Sequence, residues 1–237
     1  MPPREPVFHV KICGVTSADD ARMVAAAGAD AIGLNFVPGS PRCLSSAAAR
    51  EVVAAIPDDV LVVGVFAGMP AADVKRMVAE VGLDAVQLHG HLSGDGVVDL
   101  PEVCSDLAPL TVIRAVRLEP DGLGAARSWM AAAAALGHSP SMAVVDAAVT
   151  AATAAGQLGG TGATIDWSRF AAAGDLGIPM AVAGGLTPSN VAEAVAASRA
   201  VAVDTASGVE SAPGRKDQAK VEAFCAAARE ALAAKGT

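Results

Sequence analysis

The sequence predicts an α/β fold, a single (β/α)8 TIM barrel. Three observations lead there. Short β-branched or apolar runs alternate with longer, alanine-rich stretches that carry charges at helical spacing. Eight such runs occur, and a helical candidate follows each. The length of 237 residues suits one barrel, and no low-complexity linker divides it, so one domain is expected over 1–237.

The elements follow in order. The strand candidates are VFHVKIC (7–13), DAIGLNF (30–36), VLVVGVF (60–66), DAVQLH (84–89), LTVIRAV (110–116), SMAVVD (141–146), IPMAVAG (178–184) and AVAVD (200–204). Helices are expected at about 17–27, 45–55, 71–81, 95–107, 121–136, 166–173, 188–198 and 216–234. SADD at 17 and TPSN at 187 are start signals, because small polar side chains cap the first free N–H groups of a helix. The fourth helix carries the weakest pattern, since Gly94, Gly96 and Pro101 interrupt it. An open, doubly wound sheet is the alternative. It would normally carry GxGxxG after the first strand, and CGVTSAD stands there instead.

Composition excludes several function classes. The net charge of −8 argues against a nucleic-acid partner. It leaves room for an anionic small ligand, because backbone N–H groups can bind phosphate on an acidic protein. No uncharged apolar run is long enough to span a bilayer, so no membrane partner is expected. MPPREPVFHV lacks the apolar core of a signal peptide. Cys13, Cys43, Cys104 and Cys225 are dispersed, without CxxC or a Cys/His cluster. Neither a disulfide framework nor a metal site is expected, and the free thiols suggest a cytoplasmic location.

Barrels of this kind place their sites at the C-terminal ends of the strands. Those ends carry Cys13-Gly14, then FVPGSPR with Arg42, Phe66, Gln87 with His89 and Gly90, Arg114 with Arg117, Asp146, Gly184-Gly185, and Asp204 followed by Ala206-Ser207-Gly208. AGGLT (183–187) and TASGVE (205–210) suit a phosphate, since Gly184, Gly185 and Gly208 let backbone N–H groups approach an anion. Cys13 can remove a proton from carbon as a thiolate, and Asp146, across the mouth, can protonate a leaving oxygen. A thiolate needs a cation nearby. Lys11 shares the strand face of Cys13, and strand eight neighbours strand one, so a Lys11–Asp204 pair is expected beneath the thiol. Arg42 can grip a carboxylate through two parallel hydrogen bonds. His89 can serve as a supporting hydrogen-bonding group. The nineteen residues AAVTAATAAGQLGGTGATI (147–165) suit a lid over a ligand.

Together KICG (11–14), SPR (40–42), QLHG (87–90), GGTG (159–162), DW (166–167), AGGLTPSNV (183–191) and SGVE with PGRKD (207–217) resemble the phosphoribosylanthranilate isomerase family of tryptophan biosynthesis. The resemblance implies a (β/α)8 barrel that performs an Amadori rearrangement. It converts N-(5′-phosphoribosyl)anthranilate into 1-(2-carboxyphenylamino)-1-deoxyribulose 5-phosphate. It implies Cys13 as general base and Asp146 as general acid. Arg42 would contact the anthranilate carboxylate, with Gln87, His89 and Asp204 also in the substrate site. Gly160, Gly162, Gly184, Gly185, Ser207 and Gly208 would hold the phosphate. No metal or organic cofactor is implied, and monomers or homodimers are expected. Three features depart from the family pattern: Cys43 where an aromatic residue usually follows the arginine, Ala206 where a serine usually stands, and the long loop after Asp146. Two other readings compete. A related isomerase of the histidine pathway would carry aspartate at the position of Cys13. A sugar-phosphate-binding barrel without turnover would not need both Cys13 and Asp146.

Overall fold

The computed structural model describes residues 5–89, 101–119, 121–146 and 167–235. Eight parallel strands close a barrel in the order β1 to β8. They are β1 (Val10–Cys13), β2 (Ala31–Asn35), β3 (Leu61–Ala67), β4 (Ala85–His89), β5 (Thr111–Arg117), β6 (Met142–Asp146), β7 (Met180–Ala183) and β8 (Ala202–Thr205). Helices α1 (Ala18–Ala26), α2 (Ser46–Val53), α3 (Ala71–Val81), α4 (Glu102–Leu107), α5 (Gly124–Ala135), α6 (Trp167–Ala172), α7 (Val191–Ala197) and α8 (Gln218–Lys235) follow the strands in turn. The alternative of an open sheet is thereby overturned.

Local chemistry sets the boundaries. Ser17 caps α1 by accepting from Asp20 N at 3.1 Å, and Ser45 caps α2 by accepting from Ala48 N at 3.2 Å. The TPSN signal works differently from expectation. Asn190 Oδ1 accepts from Thr187 N at 2.8 Å, so Pro188–Asn190 form a turn and α7 starts later, at Val191. Asp30 and Asp84 stand just before β2 and β4. Their carboxylates accept the first free N–H groups of the preceding strand, Val10 N at 2.8 Å and Val62 N at 2.7 Å. One small element is new: after β8, a hairpin of β9 (Glu210–Ala212) and β10 (Arg215–Lys216) precedes α8.

Side chains alternate along each strand, and the two sets build two cores. The outward set packs under the helices, as Ile12, Leu34, Val86, Val145 and Val182 do. The inward set holds Ala31, Val63, Ala85, Ile113, Met142, Val144, Ala181 and Ala202, with Phe8 filling the bottom. Phe66 belongs to the outward set, stacked on Phe36 with ring centroids 5.1 Å apart, so it does not reach the mouth. Arg114 is also outward: its guanidinium lies 4.8 Å from the Trp129 ring of α5, and it donates to Leu88 O.

Several alanines in the inward set leave room for one long side chain. Lys11 is fully buried there. Lys11 is in register with Asp204 where β1 meets β8, and its Nζ lies 2.9 Å from Asp204 Oδ1. The expected pair is present, at the seam where the barrel closes. Removing one partner of such a pair strands a buried charge, at a cost of about 3–5 kcal/mol. Urea unfolding of Lys11→Met should therefore show a loss of that order. Lys11→Met/Asp204→Leu, which leaves no orphan charge, should lose clearly less. Equal losses would mean that the pair contributes only packing.

Candidate active site

The mouth is built from the residues that end the inward set. Cys13 lies two residues above Lys11 and shares its face. Asp146 follows Met142 and Val144 on the inward face of β6, three strands from β1 around the barrel. His89 and Gln87 continue the inward face begun by Ala85 on β4. Thiol, carboxyl and imidazole thus meet around one opening, because all eight strands run in parallel.

Beneath the thiol lies a cation. Burial works against the Lys11 charge, but Asp204 and the Cys13 thiol outweigh it, so Lys11 holds its proton more firmly than a free lysine. Asp204 is 6% exposed and its Oδ1 is engaged by Lys11, which makes it the floor of the site. Gln87 is likewise sunk, and its Nε2 lies 2.9 Å from His89 Nε2. Gln87 Oε1 finds no hydrogen-bond partner among the described residues.

Arg42 is steered over the end of β1 by a glycine. Gly14 has φ +72°, and a Cβ there would come 2.2 Å from Arg42 Cδ. Only glycine lets the arginine cross the strand end. Glu210 accepts from Arg42 Nε at 2.8 Å and from Nη2 at 2.6 Å. Burial pushes the Glu210 carboxyl up, but the Arg42 hydrogen bonds and the Lys216 charge prevail and hold it below the ordinary value. Cys43, beside Arg42, is exposed and forms an isolated bridge with Asn35.

The glycine loops flank the mouth on the β7–β8 side. Gly184 and Gly185 have φ +90° and +63°. Thr205 Oγ1 donates to Leu186 O at 2.8 Å, which ties the two loops together. Ser207 opens a short 3-10 turn over Ser207–Val209. At Gly208 a Cβ would lie 1.7 Å from Leu186 O, so no larger residue fits while the loops stay packed. Gly160, Gly162, Gly90, Asp166 and the loop 147–165 lie outside the described residues. Among the described residues, no three His, Cys, Asp or Glu side chains are grouped to hold a metal ion. No helix among them is long and apolar enough to cross a membrane.

A family model for N-(5′-phosphoribosyl)anthranilate isomerase matches residues 10–227. The chain belongs to this family. It is 41% identical over 225 residues to the N-(5′-phosphoribosyl)anthranilate isomerase of Acidithiobacillus ferrooxidans, covering 94% of this chain and 98% of that one. It is similar to the crystal structure of the phosphoribosyl anthranilate isomerase from Thermotoga maritima, with TM-score 0.76 and 31% identity over 94% of this chain and 100% of that one. A second isomerase structure, in complex with reduced 1-(o-carboxyphenylamino)-1-deoxyribulose 5-phosphate, matches with TM-score 0.75 and 30% identity over 94% of this chain and 100% of that one.

The residues that sequence reasoning left without a role are Glu210 and Lys216. Both lie within the SGVE and PGRKD motifs, and the Pro213-Gly214 turn between them signals a hairpin that would bring them together.

The imidazole of His89 has a measurable consequence. Burial, then the charges of Lys11 and Arg114, push its pKa from 6.5 down to about 4. The unfolded chain takes up this proton below about pH 6.5, and the folded chain only near pH 4. The unfolded state therefore binds more protons in that window, and stability falls as pH drops, by up to about 1.4 kcal/mol per pH unit. Urea titrations from pH 7 to pH 4 should show a steeper loss for the parent chain than for His89→Gln. Parallel curves would contradict a neutral His89.

Proposed function

We propose that the chain acts as a phosphoribosylanthranilate isomerase in tryptophan biosynthesis, with Cys13 as general base and Asp146 as general acid. The observation that carries this reading is their placement: two proton-handling groups on strands three apart, facing one opening. The family membership supports it independently. Asp146 protonates the ribose ring oxygen, and the C1′–O bond breaks to leave a Schiff base. Cys13 removes the C2′ proton. The electron pair moves into the imine, giving an enolamine that tautomerises to the ketone. The substrate's own imine is the electron sink, so this route calls on no cofactor.

The remaining assignments are part of the same proposal. The end of the Arg42 guanidinium binds the anthranilate carboxylate. Gly184, Gly185, Ser207 and Gly208, with Gly160 and Gly162, receive the phosphate. Gln87 and His89 supply neutral hydrogen bonds, which leaves the positive charge of the site to Lys11, Arg42 and Lys216. Asp204 acts through Lys11. The enzyme works in the cytoplasm on a phosphorylated small molecule, as a monomer or homodimer.

A fluorescence assay of phosphoribosylanthranilate generated in situ tests the proposal. The parent chain should turn over, and Cys13→Ser and Asp146→Asn should each lose a factor of about 10² or more, the scale of lost acid–base catalysis. An inactive parent chain that still binds a ribulose phosphate would identify a binding barrel instead.

A further inference from the structure

Two buried charges have no part in the acid–base steps. Glu210 is 8% exposed and Lys216 is 5% exposed. They sit on either strand of the hairpin after β8 and meet at 2.9 Å. Lys216 Nζ also donates to the carbonyls of Cys13, at 2.6 Å, and Ala206, at 3.1 Å. Three acceptors require three N–H bonds, so this lysine is an ammonium. It ties the strand of the base to the loop after β8.

Glu210 meets Arg42 in a particular way. A guanidinium has two edges that can each grip a carboxylate with parallel N–H bonds, one through Nε and Nη2, the other through Nη1 and Nη2. Glu210 occupies the first edge. Among the described residues the second edge meets no hydrogen-bond partner, so it remains for a ligand. Held on one side, with Gly14 beneath it, the guanidinium plane is fixed before substrate arrives. Preorganisation of this kind raises affinity by removing an ordering cost.

Charge sets the other requirement. Glu210 alone would cancel the charge of Arg42 and disfavour a second carboxylate. Lys216 offsets it, because two positive groups against one negative leave a net charge of about +1 for the ligand.

We propose that Glu210 and Lys216 are positioning residues that make Arg42 a reader of the substrate's aromatic carboxylate. Glu210 fixes the guanidinium plane. Lys216 restores the positive charge and anchors the assembly to the backbone of Cys13 and Ala206. The inference rests on the reading of Arg42 as the carboxylate contact and deepens it.

The test compares two ligands that do not turn over: reduced 1-(o-carboxyphenylamino)-1-deoxyribulose 5-phosphate and the same molecule without the carboxylate. Calorimetry gives the affinity of each for the parent chain, Glu210→Gln, Lys216→Met and Lys216→Arg, with a thermal melt of every variant. The parent chain should prefer the carboxylate ligand. Lys216→Met should cut that preference by about tenfold, the scale of one charge-assisted hydrogen bond. Glu210→Gln should cut it too, although it adds net positive charge, because the guanidinium plane is no longer held, and both variants should bind the other ligand as before. Lys216→Arg should recover part of the preference. Equal weakening of both ligands would overturn the proposal in favour of a structural role, as would an unchanged preference. A parent chain with no preference would remove the Arg42 reading itself, and the proposal with it.

Discussion

The closed barrel depends on one buried ion pair at its seam. Lys11 and Asp204 carry charges into an interior whose other inward side chains are mostly apolar, from Ala31 and Val63 to Ile113, Met142 and Phe8. Taking two such charges out of water is costly, and only good geometry offsets the cost. The geometry exists in one register of β1 on β8, with Lys11 opposite Asp204. A slip of one residue would turn one partner to the helix side and strand the other. The pair therefore specifies how the first strand meets the last.

Everything at the mouth is counted upward from that pair. Two residues above Lys11 is Cys13, and two above Asp204 is Ala206, where the loop toward Ser207 and Gly208 begins. The same closure brings the hairpin after β8 over β1. Lys216 can then reach Cys13 O, and Glu210 can reach Arg42 from the loop after β2. The Cys13 thiol and the charged anchor are thus fixed to one framework. His89 adds polarity without charge, since burial among cations keeps its ring neutral.

Much of this was legible in the chain. The eight runs map onto the eight strands because parallel barrel strands are buried on both faces and read as short apolar blocks. The Lys11–Asp204 pair was legible because strand alternation and barrel closure together leave those two side chains one place to go. Other features were not. Glu210 and Lys216 look like surface charges in a polar turn, and only the hairpin shows that they are buried. Arg114 ends a β-branched run as Arg117 does, but the pleat turns it outward onto Trp129. Helix α7 starts at Val191 rather than at 188 because Asn190 Oδ1 accepts from Thr187 N in a turn before the helix forms. Such outcomes depend on contacts between segments distant in sequence, which no local pattern encodes.

The proposed reaction requires one ligand to span the mouth, with its reacting carbon between Cys13 and Asp146. The most direct measurement is a crystal structure with reduced 1-(o-carboxyphenylamino)-1-deoxyribulose 5-phosphate bound. The phosphate should lie against the Gly184-Gly185 and Ser207-Gly208 loops and the carboxylate on the outer edge of Arg42, with the Arg42–Glu210 bonds intact. The carbon that loses its proton should face Cys13 Sγ, with the Asp146 carboxyl near the oxygen released on ring opening. A reversed ligand, or one whose reacting carbon reaches only one of the two groups, would contradict it.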